Sequence, residues 1–206
     1  MEISGALAFI AGVFLLYISS DSPTMFYSFL GLGIIAIAGA VFYTFGDNAY
    51  GYKGLGDISV FLFFGLLGVV GSYYLFANSF NLFVWLPAVT VGLFSTAVLN
   101  VNNIRDLEND QASGKITIPV RLGKSKAVVY HLLLLIFGWL STVIYFCLTY
   151  EKVTDWLFLL ITPLLVKNAI TVRAEAGKST LDPMLKQMVL TTLLYVILFS
   201  LSLLLR

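Results

Sequence analysis

Of 206 residues, 59% are hydrophobic and only 11% are charged, where a soluble domain carries about a quarter charged residues. That deficit excludes an ordinary water-soluble fold and identifies an integral membrane protein. The net charge of +1 gives no pointer to a nucleic-acid partner, and a single cysteine, Cys147, excludes a disulfide framework or a cysteine metal site.

Seven apolar segments follow one another: 3–19, 24–45, 58–77, 82–101, 127–149, 155–171 and 187–205. Each is close to the roughly 20 residues a helix needs to cross the hydrocarbon core. Barrel strands would be about half as long and would alternate polar with apolar residues. The expected fold is therefore an all-α transmembrane seven-helix bundle, in one domain spanning residues 1–206. The first segment is a poor signal peptide, because Met1-Glu2 is not a basic leader. Gly31, Gly33 and Gly39, and Gly65, Gly68 and Gly71, stand at small-residue spacings that favour close helix packing. Pro87 and Pro163 lie inside spans, where neighbouring helices tolerate a kink.

Charge then sets the orientation. With loops assigned alternately to two sides, the N-terminal side receives Lys53, Arg105, Lys115, Arg121, Lys124, Lys126, Lys167, Arg173, Lys178 and Lys186, and the other side only Lys152 and Arg206. This asymmetry predicts a cytoplasmic N-terminus and an external C-terminus. The long loops, 46–57, 102–126 and 172–186, all fall on the cytoplasmic side, so aqueous chemistry is expected there.

The fourth segment runs out into Asn102-Asn-Ile-Arg-Asp-Leu-Glu-Asn-Asp110. If its helix continues, Asn102, Asp106 and Asp110 share a face at intervals of four. Two carboxylates preceded by an amide oxygen make a row of hard ligands suited to Mg²⁺, which takes one or two carboxylates and completes its shell with water and phosphate oxygens. Asn103 flanks the row. Lys115, Arg121, Lys124 and Lys126 follow, as a diphosphate would require. Spacing alone leaves a solvated loop with offsetting charges equally open. The stretch Gly46–Gly65 offers Tyr50, Tyr52, Lys53 and Asp57 on the same side, either as a glycine turn with Asp57 capping the next helix or as a binding group for diphosphate or an aromatic acceptor. His131, near the start of the fifth segment, reads as a packing residue, and Lys167 as a snorkelling one.

At these two stretches the chain resembles the UbiA superfamily of membrane prenyltransferases, and within it the branch acting on 1,4-dihydroxy-2-naphthoate in menaquinone synthesis. The resemblance rests on Tyr50-Gly-Tyr-Lys-Gly-Leu-Gly-Asp57 with the following Ile-Ser-Val, on Asn102-Asn-Ile-Arg-Asp106 with Asp110 and Lys115, on Val120-Arg-Leu-Gly123, and on Pro163-Leu-Leu-Val-Lys167. It implies a nine-helix fold around a cavity open to lipid, with two Asp-rich motifs holding Mg²⁺ and a polyprenyl diphosphate. Asp106 and Asp110 match the second motif and are the implied metal ligands. Asn102, Asn103, Arg105, Lys115 and Arg121 match the substrate-binding residues around it, and Lys53 is expected to assist. Asp57 and Tyr50 fall on a second catalytic loop, where one of them is expected to act as a base.

By this resemblance the seven segments correspond to helices 3–9. The first two helices and the first Asp-rich motif have no counterpart, which predicts an N-terminally truncated gene product. The implied reaction is transfer of a polyprenyl group from its diphosphate to dihydroxynaphthoate, giving demethylmenaquinone. The alternatives are another aromatic acceptor such as 4-hydroxybenzoate, or an inactive lipid-binding fragment.

Overall fold

A computed structural model describes residues 2–46, 49–175 and 181–206; Asp47 and Lys178 lie outside the described residues. Every predicted segment is helical, and no strand occurs among the described residues. The helices are α1 (Glu2–Ser19), α2 (Pro23–Thr44), α3 (Gly56–Ala77), α4 (Leu82–Arg105), the short α5 (Leu107–Ala112) and α6 (Ile118–Leu122), α7 (Lys124–Thr149), α8 (Val153–Glu175) and α9 (Asp182–Leu204). Among the described residues, six are long and apolar enough to cross a bilayer, while the apolar helix Gly5–Ser19 is shorter. The chain is a multi-pass membrane protein.

Local chemistry accounts for the boundaries. Ser22 accepts a hydrogen bond from the Met25 amide at 3.2 Å, and Pro23 occupies the first turn of α2, where its missing N–H costs nothing. Asn78 ends α3 in the left-handed region at φ 49°. The middle of α3, Phe61–Gly71, is π-helical. Pro87 and Pro163 each stand in the first turn of an α-helical stretch entered through a 3₁₀ turn. Both lie inside spans as expected, within Leu82–Arg105 and Val153–Ala174, at positions where the α-helical rung each would break has not yet begun.

In lipid, helices associate through close packing and interhelical hydrogen bonds rather than through exclusion from water. Accordingly α4, with α7, α8 and α9 around it, forms the packed centre. Phe94, Leu134, Phe146, Phe158, Met188 and Tyr195 build its main cluster, and Val101, Ile104, Ala127, Val172 and Leu181 a second one toward the end of α4. The span of α4 is 44% buried and that of α2 only 6%, so α2 is a peripheral helix. Gly65 of α3 meets the backbone of Ala88 and Gly92 on α4, and Gly39 meets the Phe63 ring. Gly31 and Gly33 have nothing within 4 Å of where a Cβ would stand, so the expected close packing is absent there.

A polar ladder crosses the apolar centre. The Thr90 hydroxyl lies 2.9 Å from the Gly138 carbonyl and 2.9 Å from the Thr142 hydroxyl, which lies 2.9 Å from the Tyr195 hydroxyl. It ties α4, α7 and α9 together with every hydroxyl partnered, as low-dielectric surroundings demand. At the end remote from Arg105, the fully buried Asp155 accepts from Arg206 Nε at 2.9 Å and from the Glu151 amide at 2.8 Å. Arg206 also donates to the Thr149 carbonyl at 2.8 Å.

Candidate active site

The acid row forms because α4 does not stop at the end of its apolar run. The Asp106 amide donates to the Asn102 carbonyl at 3.0 Å, and the Asp110 amide to the Asp106 carbonyl at 2.8 Å. Helical rungs thus pass through a bend at Asp106 (φ −93°, ψ 8°) into α5. Asn102, Asp106 and Asp110 occupy successive turns. Beyond them, Gly114 at φ +76° turns the chain back, and the Lys115 amide closes on the Asp110 carbonyl at 2.9 Å.

Each carboxylate has a cation. Arg105 donates from Nε to Asp106 Oδ1 at 2.8 Å and from Nη2 to Oδ2 at 2.7 Å, a two-pronged contact of the strong, directional kind. The same guanidinium reaches Asn102 Oδ1 at 2.8 Å and, through Nη1, Asp182 Oδ1 at 2.7 Å in the first turn of α9. Lys115 Nζ stands 3.2 Å from both oxygens of the buried Asp110. Asn103 is buried, and its Oδ1 has no hydrogen-bond partner.

The Arg105 guanidinium holds the Asp106 carboxyl below the usual carboxylate range. A carboxyl with a lowered folded-state value stabilises the fold fully above its unfolded value, about 3.9, and loses that contribution as pH falls through the lowered one. In Arg105→Gln, the melting-temperature deficit relative to wild type will be constant above about pH 5 and will shrink as pH falls below the unfolded value. Melting curves between pH 6 and pH 3 check this. The pair is partly exposed, so its contribution stays under about 1 kcal/mol.

The tyrosine-bearing loop docks on this segment. The Ile116 amide donates to the Tyr52 carbonyl at 2.8 Å, and Arg121 donates to the Lys53 carbonyl. Gly54, at φ +78°, sits where a Cβ would lie 2.8 Å from the Ile116 carbonyl oxygen and 2.9 Å from Arg121 Nε. Only glycine fits both the conformation and the space. The two stretches singled out in the sequence therefore form one assembly.

Asp57 behaves differently from expectation. Leu55, not Asp57, is the cap of α3, and no side chain caps that end. The helix starts two residues earlier, at Gly56, which puts Asp57 in its first turn. Its buried carboxylate accepts from the Tyr130 hydroxyl of α7 at 3.0 Å. The Tyr50 hydroxyl is engaged elsewhere, donating to the Gly39 carbonyl at 2.6 Å and lying 2.9 Å from the Ser59 hydroxyl. Its ring meets Tyr43 edge-on at 5.5 Å. These two rings, with Ser59, Phe63, Phe64 and Leu67, line a cavity of about 440 Å³ between α2 and α3. His131 is buried with Nε2 2.9 Å from Asn168 Oδ1, in keeping with a packing role.

Tyr130 and Asp182 were not singled out by sequence reasoning. Tyr130 gave no signal in a tyrosine-rich apolar helix. Asp182, immediately before a proline at a helix start, could have been read as a cytoplasmic acid within reach of the basic loop.

The donor set can be tested against Mg²⁺. Among the described residues no three His, Cys, Asp or Glu side chains converge. What stands there is Asp106 and Asp110 on successive turns with the buried, unpartnered Asn103 Oδ1 beside them, an all-oxygen donor chemistry that fits a hard cation filling its remaining positions with water and phosphate oxygens.

Residues 2–193 match the UbiA prenyltransferase family. The chain is 48% identical over 197 residues to 1,4-dihydroxy-2-naphthoate octaprenyltransferase of Haemophilus influenzae, covering 96% of this chain and 64% of that protein. It is 42% identical over 199 residues to the protein of the same name from Escherichia coli K12, covering 95% of this chain and 65% of the relative. To that of Mycobacterium tuberculosis it is 35% identical over 193 residues, covering 92% and 62%. The chain thus spans a little under two thirds of the length of these curated relatives. No solved structure matches it.

Proposed function

We propose, since this chain belongs to the UbiA prenyltransferase family, that it transfers a polyprenyl group from polyprenyl diphosphate to 1,4-dihydroxy-2-naphthoate at a site facing the cytoplasm. Residues 1–206 act as one membrane domain, with the N-terminus inside and the C-terminus outside a bacterial cytoplasmic membrane. The observation that carries this reading is the continuation of α4 into α5. It delivers Asp106 and Asp110, with Arg105 and Lys115 against them, at the end of an apolar helix. The names of the naphthoate octaprenyltransferases that the chain resembles supply the substrate class.

Asp106 and Asp110 would hold Mg²⁺, with Asn102 and Asn103 supplying amide oxygens. Bound there, the ion provides Lewis-acid stabilisation of the departing diphosphate. Arg105, Lys115, Arg121 and Lys53 bind the phosphate oxygens and compensate the charge that grows on them as the allylic C–O bond breaks. Arg121 and Lys53 support this role by joining the two loops around the row. The naphthoate ring forms the new C–C bond, and loss of CO₂ yields the demethylmenaquinone skeleton. Asp57 takes the proton from the acceptor hydroxyl, and Tyr130 holds that carboxylate in place. Tyr50 and Tyr43 line the cavity between α2 and α3, where their rings stabilise the allylic cation and exclude water.

The test is turnover by detergent-solubilised protein with Mg²⁺ and octaprenyl diphosphate, offered dihydroxynaphthoate or 4-hydroxybenzoate. The expected result is a prenylated naphthoquinol, with release of CO₂ and diphosphate, with the first acceptor. Product with the second acceptor alone overturns the acceptor assignment. Absence of diphosphate release with either overturns the enzymatic reading.

A further inference from the structure

Three ion pairs converge at the end of α4: Arg105 with Asp106, Arg105 with Asp182, and Lys115 with Asp110. Both proposed metal ligands are thus already neutralised by the side chains that would bind the diphosphate. Arg105 adds a third anion from a different helix. The side chain of Asp182 is 68% exposed and accepts a hydrogen bond from this guanidinium.

We infer that metal and diphosphate enter by exchanging partners with these pairs, Asp106, Asp110 and Asp182 standing in for the phosphate oxygens and Arg105 and Lys115 standing in for the metal. Asp182 is then a positioning residue that acts on the substrate through Arg105. This rests on the function proposed above and goes beyond it.

The consequence is obligatory coupling. A metal ion arriving alone must displace Lys115 from its carboxylate and pull Arg105 off Asp106, leaving it with Asp182 alone. A diphosphate arriving alone must strip the same cations from the carboxylates. When both arrive, Asp106 and Asp110 gain the metal, Arg105 and Lys115 gain the phosphate oxygens, and the exposed Asp182 returns to water. Each ligand then raises the affinity of the other by the same factor, as linkage requires. A merely structural role for Arg105 and Lys115 makes the opposite demand, since removing either cation would loosen the loop and weaken metal binding.

The sign of the change therefore decides, and binding reads it without turnover. Purified protein in detergent micelles is titrated with Mn²⁺, followed by electron paramagnetic resonance, with and without inorganic diphosphate. Protein-free titrations subtract the solution Mn²⁺–diphosphate complex. In wild type, diphosphate is expected to tighten Mn²⁺ binding at least tenfold. Arg105→Gln and Lys115→Gln are expected to bind Mn²⁺ alone severalfold more tightly than wild type, while the tightening by diphosphate collapses toward one. Asp182→Asn removes an anion competing for Arg105. It is expected to tighten diphosphate binding severalfold.

Looser Mn²⁺ binding in both cation variants, titrated well below their own melting temperatures, overturns the exchange. So does Mn²⁺ binding in wild type that is indifferent to diphosphate. Weaker diphosphate binding in Asp182→Asn overturns the role of that residue. A wild-type protein that binds neither ligand overturns the proposed function together with this inference, and is thereby distinguished from a failure of the exchange alone.

Discussion

Under the proposed function, Asp106→Asn and Asp110→Asn are each expected to reduce Mg²⁺-dependent prenyl transfer by about a hundredfold or more. Lewis-acid stabilisation of the leaving group is worth several kcal/mol, and each ~1.4 kcal/mol is a factor of ten in rate. The substitution keeps the shape of the side chain and removes the charge that a hard cation needs. Asp110 is the more severe site, because its side chain is 10% exposed against 31% for Asp106 and nearby water has less opportunity to substitute for it. The fold is expected to survive both changes. In Asp106→Asn, Arg105 keeps Asn102 and Asp182. In Asp110→Asn, the helical rung to Asp106 and the turn to Lys115 are backbone bonds. Steady-state rates alongside melting temperatures test this. Undiminished turnover in both variants would remove the acid row from the mechanism, and a melting temperature that falls with the rate would make the loss structural.

Gly65→Ala has the largest expected effect on stability. A Cβ at Gly65 would lie 2.5 Å from Gly92 Cα, 2.8 Å from the Ala88 carbonyl oxygen and 2.9 Å from the Gly92 nitrogen. All three are backbone atoms of α4, so no side chain can swing away and the two helices must separate. Overpacking of this kind costs about 1–3 kcal/mol. It outweighs the gain of roughly 1 kcal/mol that alanine brings over glycine in a helix interior. Gly12→Ala and Gly33→Ala, at positions with open space around them, keep that gain and are the controls. Thermal or dodecyl-sulfate unfolding in micelles should place Gly65→Ala below wild type and the two controls at or above it. A Gly65→Ala protein as stable as Gly33→Ala would mean that α3 and α4 do not approach as described.

Much of this was legible before any coordinates. Runs of apolar residues set the seven helices, because crossing a bilayer requires length and little else, and the observed ends differ from the expected ones by a few residues. The acid row was legible because a helix repeats nearly every four residues, and Asn102, Asp106 and Asp110 keep that interval across a change from apolar to polar surroundings. What remained hidden depends on partners distant in the chain. Asp57 looks like a helix cap by its neighbours in sequence, yet its partner is Tyr130, 73 positions away. Arg105 looks like a loop charge, yet it joins α4 to α9 through Asp182, 77 positions away. The glycines show the same limit. Gly33 and Gly65 occur in similar small-residue patterns, and only the fold places a second backbone against Gly65.

The two ends of the bundle hold their charges in different ways, and ionic strength reaches them unequally. Asp155 is fully buried and its partner Arg206 nearly so, with 16% of that side chain exposed. Counter-ions have no access to such a pair, and at physiological salt, where screening acts over about 8 Å of solution, it stays fastened. Asp182 is largely in water, so dissolved salt weakens its hold on Arg105. The protein therefore has one end whose electrostatics are part of its architecture and another whose electrostatics respond to the surrounding solution, with the candidate site at the responsive end.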